Sequence, residues 1–355
     1  MSDHTTREKK EIHVNNLPRH IAWALILLIV CRLSATAEEV TKVGTTAAKF
    51  LSIPVGARAL GMGGAFVAIA NDASAMYWNP AGIARLYQPE ALFTHSSWLA
   101  DIDFNYGGVL FPMEGVGTFG LSFTSLSMEE MERTTEQQPD GTGQFFTAGS
   151  FAVGVSYGKN LTEWFSIGGT VKYVNEHIWN SSASGIAVDV GTLFTTPFEG
   201  LTFGAGISNF GQKMRITGDD LLVQKDISPN NGNNANINAN LTTDDFDLPL
   251  ILRIGFAYQP IVTEDQVLTF AIDAAHPNDN SESINIGGEY TGFSRILSLR
   301  AGYKALGVRE SEEEFTVGAG LKYGIGGNLT VRVDYAFERF GRLENIHKFA
   351  IGVLF

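Results

Sequence analysis

Three groups of residues in this chain have types and spacings that could support chemistry. Residues 154–158 read GVSYG and match the G-x-S-x-G pattern that presents a serine nucleophile in many hydrolases. Residues 61–64 read GMGG and resemble the start of a glycine-rich loop that binds a phosphate. Four histidines beyond residue 40 could ligate a metal ion: His95, His177, His276 and His347.

The surrounding sequence argues against each of these possibilities. A nucleophile elbow joins a strand to a helix, whereas Ser156 lies within an alternating, strand-like pattern that leads into a short turn. A dinucleotide-binding loop would need a third glycine where Phe66 stands, followed by a βαβ unit. No two of the histidines have the spacing of a metal-binding pair. We therefore predict that the chain is not an enzyme and has no catalytic residue, no cofactor and no metal site.

The N-terminus has the organisation of a secretory signal peptide. Basic residues precede an apolar run over residues 21–30, and residues 35–37 (ATA) form a small-x-small cleavage site. We predict that residues 1–37 are removed after export. They contain the only cysteine, Cys31, and carry a net charge of +2, so the mature chain has no thiol and a formal net charge of −15. Such an acidic chain is unsuited to nucleic acid, whose phosphates attract Lys and Arg.

The rest of the chain alternates with a period of two residues. From residue 104 onward, large apolar residues alternate with small or polar ones, as in LTVRVDYAF over residues 329–337. This alternation predicts strands with two different faces. In a soluble sandwich the large face would form the core, and in a membrane barrel it would meet lipid.

Charges and tyrosines favour the barrel. Isolated charges of both signs lie among Gly, Ala, Ser and Thr on the small-residue face, which suits a crowded polar lumen; Ser156 would face the same lumen. Tyrosines close the apolar rows at positions 157, 173, 258, 290, 303, 323 and 335, as expected for aromatic belts at the membrane interfaces. The predicted lumen-facing charges are Lys172, Asp189, Arg253, Asp273, Glu289, Arg300, Lys322, Arg332 and Asp334.

Connection lengths give the same result. About fourteen strands fit between residues 90 and 355, with short turns alternating with longer loops over 127–144, 211–247 and 306–314. Short periplasmic turns and longer outer loops are typical of outer-membrane barrels. We therefore predict an all-β fold, a transmembrane antiparallel β-barrel of about 14 strands, in contact with the lipid of a Gram-negative-type outer membrane.

The loops and the C-terminus suggest contacts with other molecules. Loops 127–144 and 211–247 are our candidates for a partner-binding surface, because long loops are often functional. The acidic clusters 278–282 and 312–314 have oxygen donors suited to Ca²⁺, although solvated outer loops account for them more simply. The last strand resembles the signal that the barrel assembly machinery recognises. The residues that carry this resemblance are Phe349, Ile351, Val353 and Phe355.

The glycine-rich stretch also carries a family resemblance. Segments GARA, GMGGA, NDASA and NPAG within residues 56–82 resemble the N-terminal signature of the PorV/PorQ family, which belongs to the broader FadL-like group of outer-membrane barrels. The resemblance implies that residues 38–88 form a plug inside a barrel made of residues 89–355. Asp72 or Ser74 could cap a short helix. The matching plug residues are Gly56, Arg58, Gly61, Gly63, Gly64, Asn71, Asp72, Ser74, Asn79, Pro80 and Gly82.

The same resemblance implies two alternative functions. PorV-like proteins receive exported proteins from a type IX secretion translocon and present them at the cell surface, and this is the function that the signature favours. FadL-like proteins transport fatty acids and other hydrophobic compounds across the outer membrane, and this is the alternative. The expected partners are therefore exported proteins or a translocon in the first case and a hydrophobic small molecule in the second.

Overall fold

The computed structural model describes residues 42–226, 237–308, 311–327 and 329–355. The predicted signal peptide, residues 1–37, and the Asn-rich stretch over residues 229–235 lie outside the described residues. Among the helices that are described, none is long and apolar enough to cross a membrane.

Fourteen antiparallel strands form one closed barrel, as the sequence predicts. Each strand pairs with its neighbours in the sequence, and the first strand pairs with the last, so that Glu90 lies opposite Leu354. The strands are β1 (Glu90–Ser97), β2 (Asp103–Met113), β3 (Gly117–Ser127), β4 (Ala148–Asn160), β5 (Phe165–Ile178), β6 (Ser181–Thr195), β7 (Leu201–Gly211), β8 (Ile251–Val262), β9 (Val267–Pro277), β10 (Ser283–Gly292), β11 (Leu297–Leu306), β12 (Phe315–Gly326), β13 (Leu329–Glu338) and β14 (Ile346–Leu354).

The two faces of each strand have different chemistry. On β9, the outward Ile272 is 47% exposed, whereas the adjacent inward Asp273 is 2% exposed. Large apolar side chains are exposed outward on all sides of the barrel, as expected of a surface that meets lipid. Tyr157, Tyr258, Tyr290 and Tyr323 lie towards one end of the barrel, and Tyr173, Tyr303 and Tyr335 lie towards the other.

The connections distinguish the two ends. Six turns of two to five residues join strands at the end that we call the inner end. The outer end has the longer loops 128–147, 212–250 and 307–314. Each of the first two contains a pair of short antiparallel strands. Met131–Glu132 pairs with Phe145–Phe146, and Leu222–Lys225 pairs with Ile237–Asn240.

The hydrophobic core lies inside the barrel. The segment over residues 42–88 contains two short 3₁₀ helices, Lys49–Ser52 and Pro80–Arg85, and two short α-helices, α1 (Ala57–Gly61) and α2 (Ala75–Trp78). We call this segment the plug. Its apolar side chains cluster with wall residues such as Phe104 and Tyr106 on β2. Each fully buried large side chain contributes about 1.5–3 kcal/mol, so the plug and the wall stabilise each other.

The four C-terminal residues singled out in the sequence lie where β14 pairs with β1. Three of them, Phe349, Ile351 and Val353, are on the outward face of β14, and Phe355 follows the strand. Phe349, Ile351 and Phe355 are about half exposed. The backbone amide of Phe355 donates to the Pro89 carbonyl, at 3.1 Å. Recognition of this strand by the barrel assembly machinery stays a prediction.

Candidate functional site

The plug runs through the lumen from the outer end to the inner end. At the outer end, the Lys49 ammonium and the Thr46 hydroxyl each contact the buried Asp279 carboxylate at 2.7 Å. At the inner end, the Ala84 carbonyl accepts from Asn160 Nδ2 (2.8 Å), and Arg85 Nε donates to Ser166 Oγ (3.1 Å). The segment is therefore held to the wall at both ends of the barrel.

Glycines in the plug and in the wall permit direct backbone contact. Gly63 has φ +65°, and its amide donates to Thr316 Oγ1 at 2.9 Å. A Cβ at Gly287 would lie 2.1 Å from the Met62 carbonyl oxygen, and one at Gly302 would lie 2.3 Å from the Gly63 nitrogen. Gly61 likewise lies against Gly318. Side chains at these positions would therefore displace the plug.

A second set of close contacts surrounds the NPAG segment. A Cβ at Gly82 would lie 1.9 Å from the Ala70 carbonyl oxygen, and one at Gly168 would lie 2.2 Å from the Pro80 carbonyl oxygen. Asn79 caps the 3₁₀ helix that starts at Pro80, because its Oδ1 accepts from the Ala81 amide at 3.2 Å. Its Nδ2 donates to the carbonyls of Val67 (2.9 Å) and Thr192 (3.0 Å), which joins this turn to β6.

The remaining plug residues have local roles. Gly56 and Gly64 have φ values of +84° and +73°, which favour glycine. Ser74 occupies the N-cap of α2 but makes no side-chain capping bond, which differs from the expected cap. Instead, Asp72 Oδ1 accepts from the Ser74 amide, at 2.9 Å, and from its hydroxyl. Asn71 Oδ1 accepts from Arg58 Nη1 at 2.5 Å.

A network of ion pairs joins the plug to four strands. Arg58 binds Glu289 through two hydrogen bonds of 2.8 and 2.9 Å, and Arg300 Nε donates to the same carboxylate at 2.6 Å. Arg300 Nη1 also donates to Asp334 at 2.7 Å. Arg332 lies 2.9 Å from Asp334, 3.0 Å from Glu90 and 3.4 Å from Asp72. Three guanidinium groups therefore meet four carboxylates, and two members, Arg58 and Asp72, belong to the plug.

The pKa of Asp72 reflects this network. Burial disfavours the ionised carboxylate, but the guanidinium groups of Arg332 and Arg58 and the donors of Ser74 outweigh burial and hold the pKa below its usual value. Asp72 is therefore ionised at neutral pH and remains paired with the wall.

The other predicted lumen charges lie on inward positions but form separate contacts. Lys172 and Asp189 form an ion pair at 2.8 Å. Asp273 Oδ2 accepts from the plug amides of Phe66 (2.7 Å) and Val67 (2.8 Å). The guanidinium of Arg253 lies 5.4 Å from the ring centroids of both Tyr77 and Trp78. Lys322 is exposed near the inner end.

Sequence reasoning missed several buried lumen charges. The Lys304 ammonium lies 2.6 Å from both Glu313 and Glu338. Lys348 is fully buried, donates to the Pro54 carbonyl and lies 4.9 Å from the centre of the Phe104 ring. The alternating pattern, extended to the very ends of the strands, would have placed these charges on the inward face. The missed members are Glu90, Lys304, Glu338 and Lys348.

The outer end of the lumen contains a cavity of about 280 Å³. We call it the outer-mouth cavity. It lies at the outer ends of β3, β4 and β5, next to Ile102 and Ile216, and ten residues line it. Most are apolar or small, among them Ile102, Leu126, Met128, Ala148, Ser150 and Ile216, and Glu176 and His177 are the two ionisable ones. The volume is sufficient for a small apolar ligand, because a cavity of about 150 Å³ is already large enough for benzene.

The residues with possible catalytic or metal chemistry do not form such a site in the described part of the chain. Ser156 is buried on β4, and its hydroxyl contacts the Thr170 hydroxyl at 2.7 Å. His95 contacts Asn105, His276 contacts Glu282 and His347 contacts Tyr335. Within the described residues, no group of three or more His, Cys, Asp or Glu side chains could hold a metal ion.

Comparison with protein families gives a match over most of the chain. The model of UPF0164, described as an uncharacterised protein family, matches residues 29–355. No curated protein matches the chain.

Several solved structures have a similar fold. The toluene transporter TbuX of Ralstonia pickettii is 13% identical, with a TM-score of 0.54 over 84% of this chain and 97% of that chain. The monoaromatic hydrocarbon channel CymD is 12% identical, with a TM-score of 0.53 over 85% and 97%. A FadL homologue of Pseudomonas aeruginosa is 13% identical, with a TM-score of 0.51 over 85% and 98%. At these identities the likeness concerns the fold.

Proposed function

Since the chain belongs to UPF0164, a family whose description gives no activity, we propose its function from the geometry: it transports small hydrophobic compounds across the outer membrane. The outer-mouth cavity is the observation that carries this proposal. It offers an apolar site at the end of the barrel where a compound from outside would first arrive. No residue is assigned a catalytic role.

In this proposal, movement of the plug controls passage through the lumen. It contacts the wall through glycines on β5, β10 and β11 and through the ion pairs of Arg58 and Asp72. A compound that leaves the outer-mouth cavity towards the inner end therefore passes only if part of the plug moves. Such movement leaves the pairing of the barrel strands intact, because side-chain packing, glycine contacts and ion pairs hold the plug and no barrel strand pairs with it in the described part of the chain.

The fold comparisons support transport better than secretion. The similar structures described above are named as a toluene transporter, a hydrocarbon channel and a FadL homologue. The PorV-like function, in which the outer loops bind exported proteins, stays a hypothesis, because the three structures are named for transport or as a FadL homologue and the family description gives no activity. It serves here as the competing outcome of the experiment.

The experiment measures uptake of radiolabelled small aromatic compounds by cells whose outer membrane contains this barrel as its only transporter for hydrophobic compounds. Ser150→Trp places a large ring in the outer-mouth cavity. We expect uptake to fall about ten-fold, since overpacking a fitted site costs 1–3 kcal/mol. Ser184→Trp is the matched control, because Ser184 is exposed on β6 and does not line the cavity.

Two results would contradict the proposal. The first is uptake that does not depend on the barrel at all. The second is recovery of exported proteins with the tagged barrel, lost when loop 212–250 is shortened, together with uptake that Ser150→Trp leaves unchanged. That second result would establish the secretion-related function instead.

A further inference from the structure

The outer-mouth cavity contains one feature that an entirely hydrocarbon ligand does not explain. Glu176 lines it from β5, opposite Ser150 on β4 in the strand register. It is the only carboxylate among the ten lining residues, and none of the ten is Lys or Arg. Within the described part of the chain, the Glu176 carboxylate has no hydrogen bond or ion pair.

The neighbouring cations are already engaged elsewhere. Lys172, on the same face of β5, pairs with Asp189 at 2.8 Å. Arg133 donates to Gln144 at 2.7 Å and stacks over Trp179. Arg215 makes two hydrogen bonds of 2.8 Å with Asp245. The half-buried Glu176 carboxylate therefore has no Lys or Arg partner, and His177 is the one other ionisable side chain that lines the cavity.

The outer surface adds a field of the same sign. Loops 128–147 and 212–250 together carry eleven Asp and Glu residues and four Lys and Arg residues. Charge of one sign around the mouth of a cleft raises the local concentration of oppositely charged ligands and lowers that of like-charged ones. Both the loops and the cavity therefore favour cations over carboxylates.

We propose that the outer-mouth cavity selects hydrophobic molecules that bear an ammonium group, and that Glu176 is the specificity-determining residue. The apolar walls hold the hydrocarbon part of the ligand, and the carboxylate accepts charge-assisted hydrogen bonds from the ammonium. This inference rests on the proposed function and adds the substrate class. It separates this chain from carriers of fatty acids, whose carboxylates Glu176 would repel.

The test compares four probes with nearly the same skeleton: 2-phenylethylamine, 2-phenylethanol, 3-phenylpropanoate and propylbenzene. Binding is measured by calorimetry on the full-length mature barrel in nanodiscs of neutral lipid. We expect the amine to bind about ten-fold more tightly than the hydrocarbon, because a hydrogen bond to a charged group strengthens binding by about that factor. We expect the carboxylate to bind most weakly. Glu176→Gln should abolish the preference for the amine while retaining binding of propylbenzene.

Two further variants make the outcome decisive. Glu136→Gln removes the same charge from an exposed position of loop 128–147 and should preserve the amine preference. Ser150→Trp should weaken all four probes. Equal binding of the amine and the alcohol, or an amine preference that survives Glu176→Gln, would overturn the inference. The proposed transport of hydrophobic compounds would still be supported if propylbenzene binds and Ser150→Trp abolishes its binding. A barrel that binds none of the four probes would contradict both the proposed transport and the preference for ammonium compounds.

Discussion

At the scale of single residues, the lumen charges work by joining chain segments that are distant in sequence. Glu289 on β10 accepts from Arg58 of the plug and from Arg300 of β11. It is 5% exposed, so water cannot replace either partner easily. Buried ion pairs contribute little net stability when compared with apolar residues, but loss of one partner leaves the other charge unpaired.

Glu289→Gln should therefore loosen the plug. We expect a loss of about 3 kcal/mol in the free energy that holds the plug in place. A protein produced without residues 1–37 has no cysteine, so Ala73→Cys gives a single buried thiol whose maleimide labelling reports on plug movement. Labelling should be much faster in the Glu289→Gln background. The exposed Glu114→Gln, in an inner turn, should leave the rate unchanged, and an equal rate in both variants would contradict this role.

The alternating sequence predicted several of the charges that lie on inward positions, but it missed four others and did not show which charges meet. Alternation places Arg300 and Asp334 inward, because a strand with a lipid face has only one other face for a charge. Their pairing at 2.7 Å depends on barrel closure and register, which no local pattern contains. The outer-mouth cavity was also absent from the sequence prediction, since it forms where Ile102 and Ile216 lie beside the ends of three consecutive strands, an arrangement that no local pattern contains.

At the scale of elements, adjacent glycines on one strand face different surroundings, the plug on one side and the outer surface of the barrel on the other. Gly287 and Gly288 are neighbours on β10. A Cβ at Gly287 would lie 2.1 Å from the Met62 carbonyl oxygen, whereas one at Gly288 would lie 3.6 Å from the Phe270 ring on the outer face. The first glycine is required by the plug, and the second has room for a methyl group.

We expect Gly287→Ala to displace the plug and Gly288→Ala to be tolerated. Overpacking at Gly287 should cost about 1–3 kcal/mol, and the change at Gly288 should stay within about 0.5 kcal/mol. The measurement is ionic conductance of the purified barrel in planar bilayers, which should rise only for Gly287→Ala. Similar conductance for both variants would show that the close contact does not hold the plug in position.

Strand positions were predictable from sequence because each strand repeats the same two-faced pattern. Helix positions in the plug were harder, since they are only four to six residues long and are stabilised by the surrounding wall. The capping of α2 illustrates the difference: Ser74 has the right residue type, but its hydroxyl is bound to Asp72, which itself pairs with Arg332 on β13. Contacts across the lumen therefore decided the local geometry.

At the scale of the whole molecule, closure depends on the pairing of β14 with β1. Phe355 follows β14 and is held next to Pro89 by a backbone hydrogen bond. If this end of the chain is read during assembly, Phe355→Ala should sharply reduce the folded, heat-modifiable form in outer-membrane fractions. Phe93→Ala, at a similarly exposed position on β1, should preserve it. Equal loss in the two variants would indicate a general loss of lipid contact rather than a recognition signal.

The passage of the plug along the whole lumen implies an order of events during biogenesis. Its backbone lies against glycines on opposite sides of the wall, and Arg58 and Asp72 pair with Glu289 on β10 and Arg332 on β13. The plug fits closely against inward-facing side chains, which would obstruct its insertion from one end into a barrel that has already closed. We expect it to lie on the growing sheet before β1 meets β14, so that the wall closes around it. The plug would then guide the formation of the barrel before it blocks the lumen.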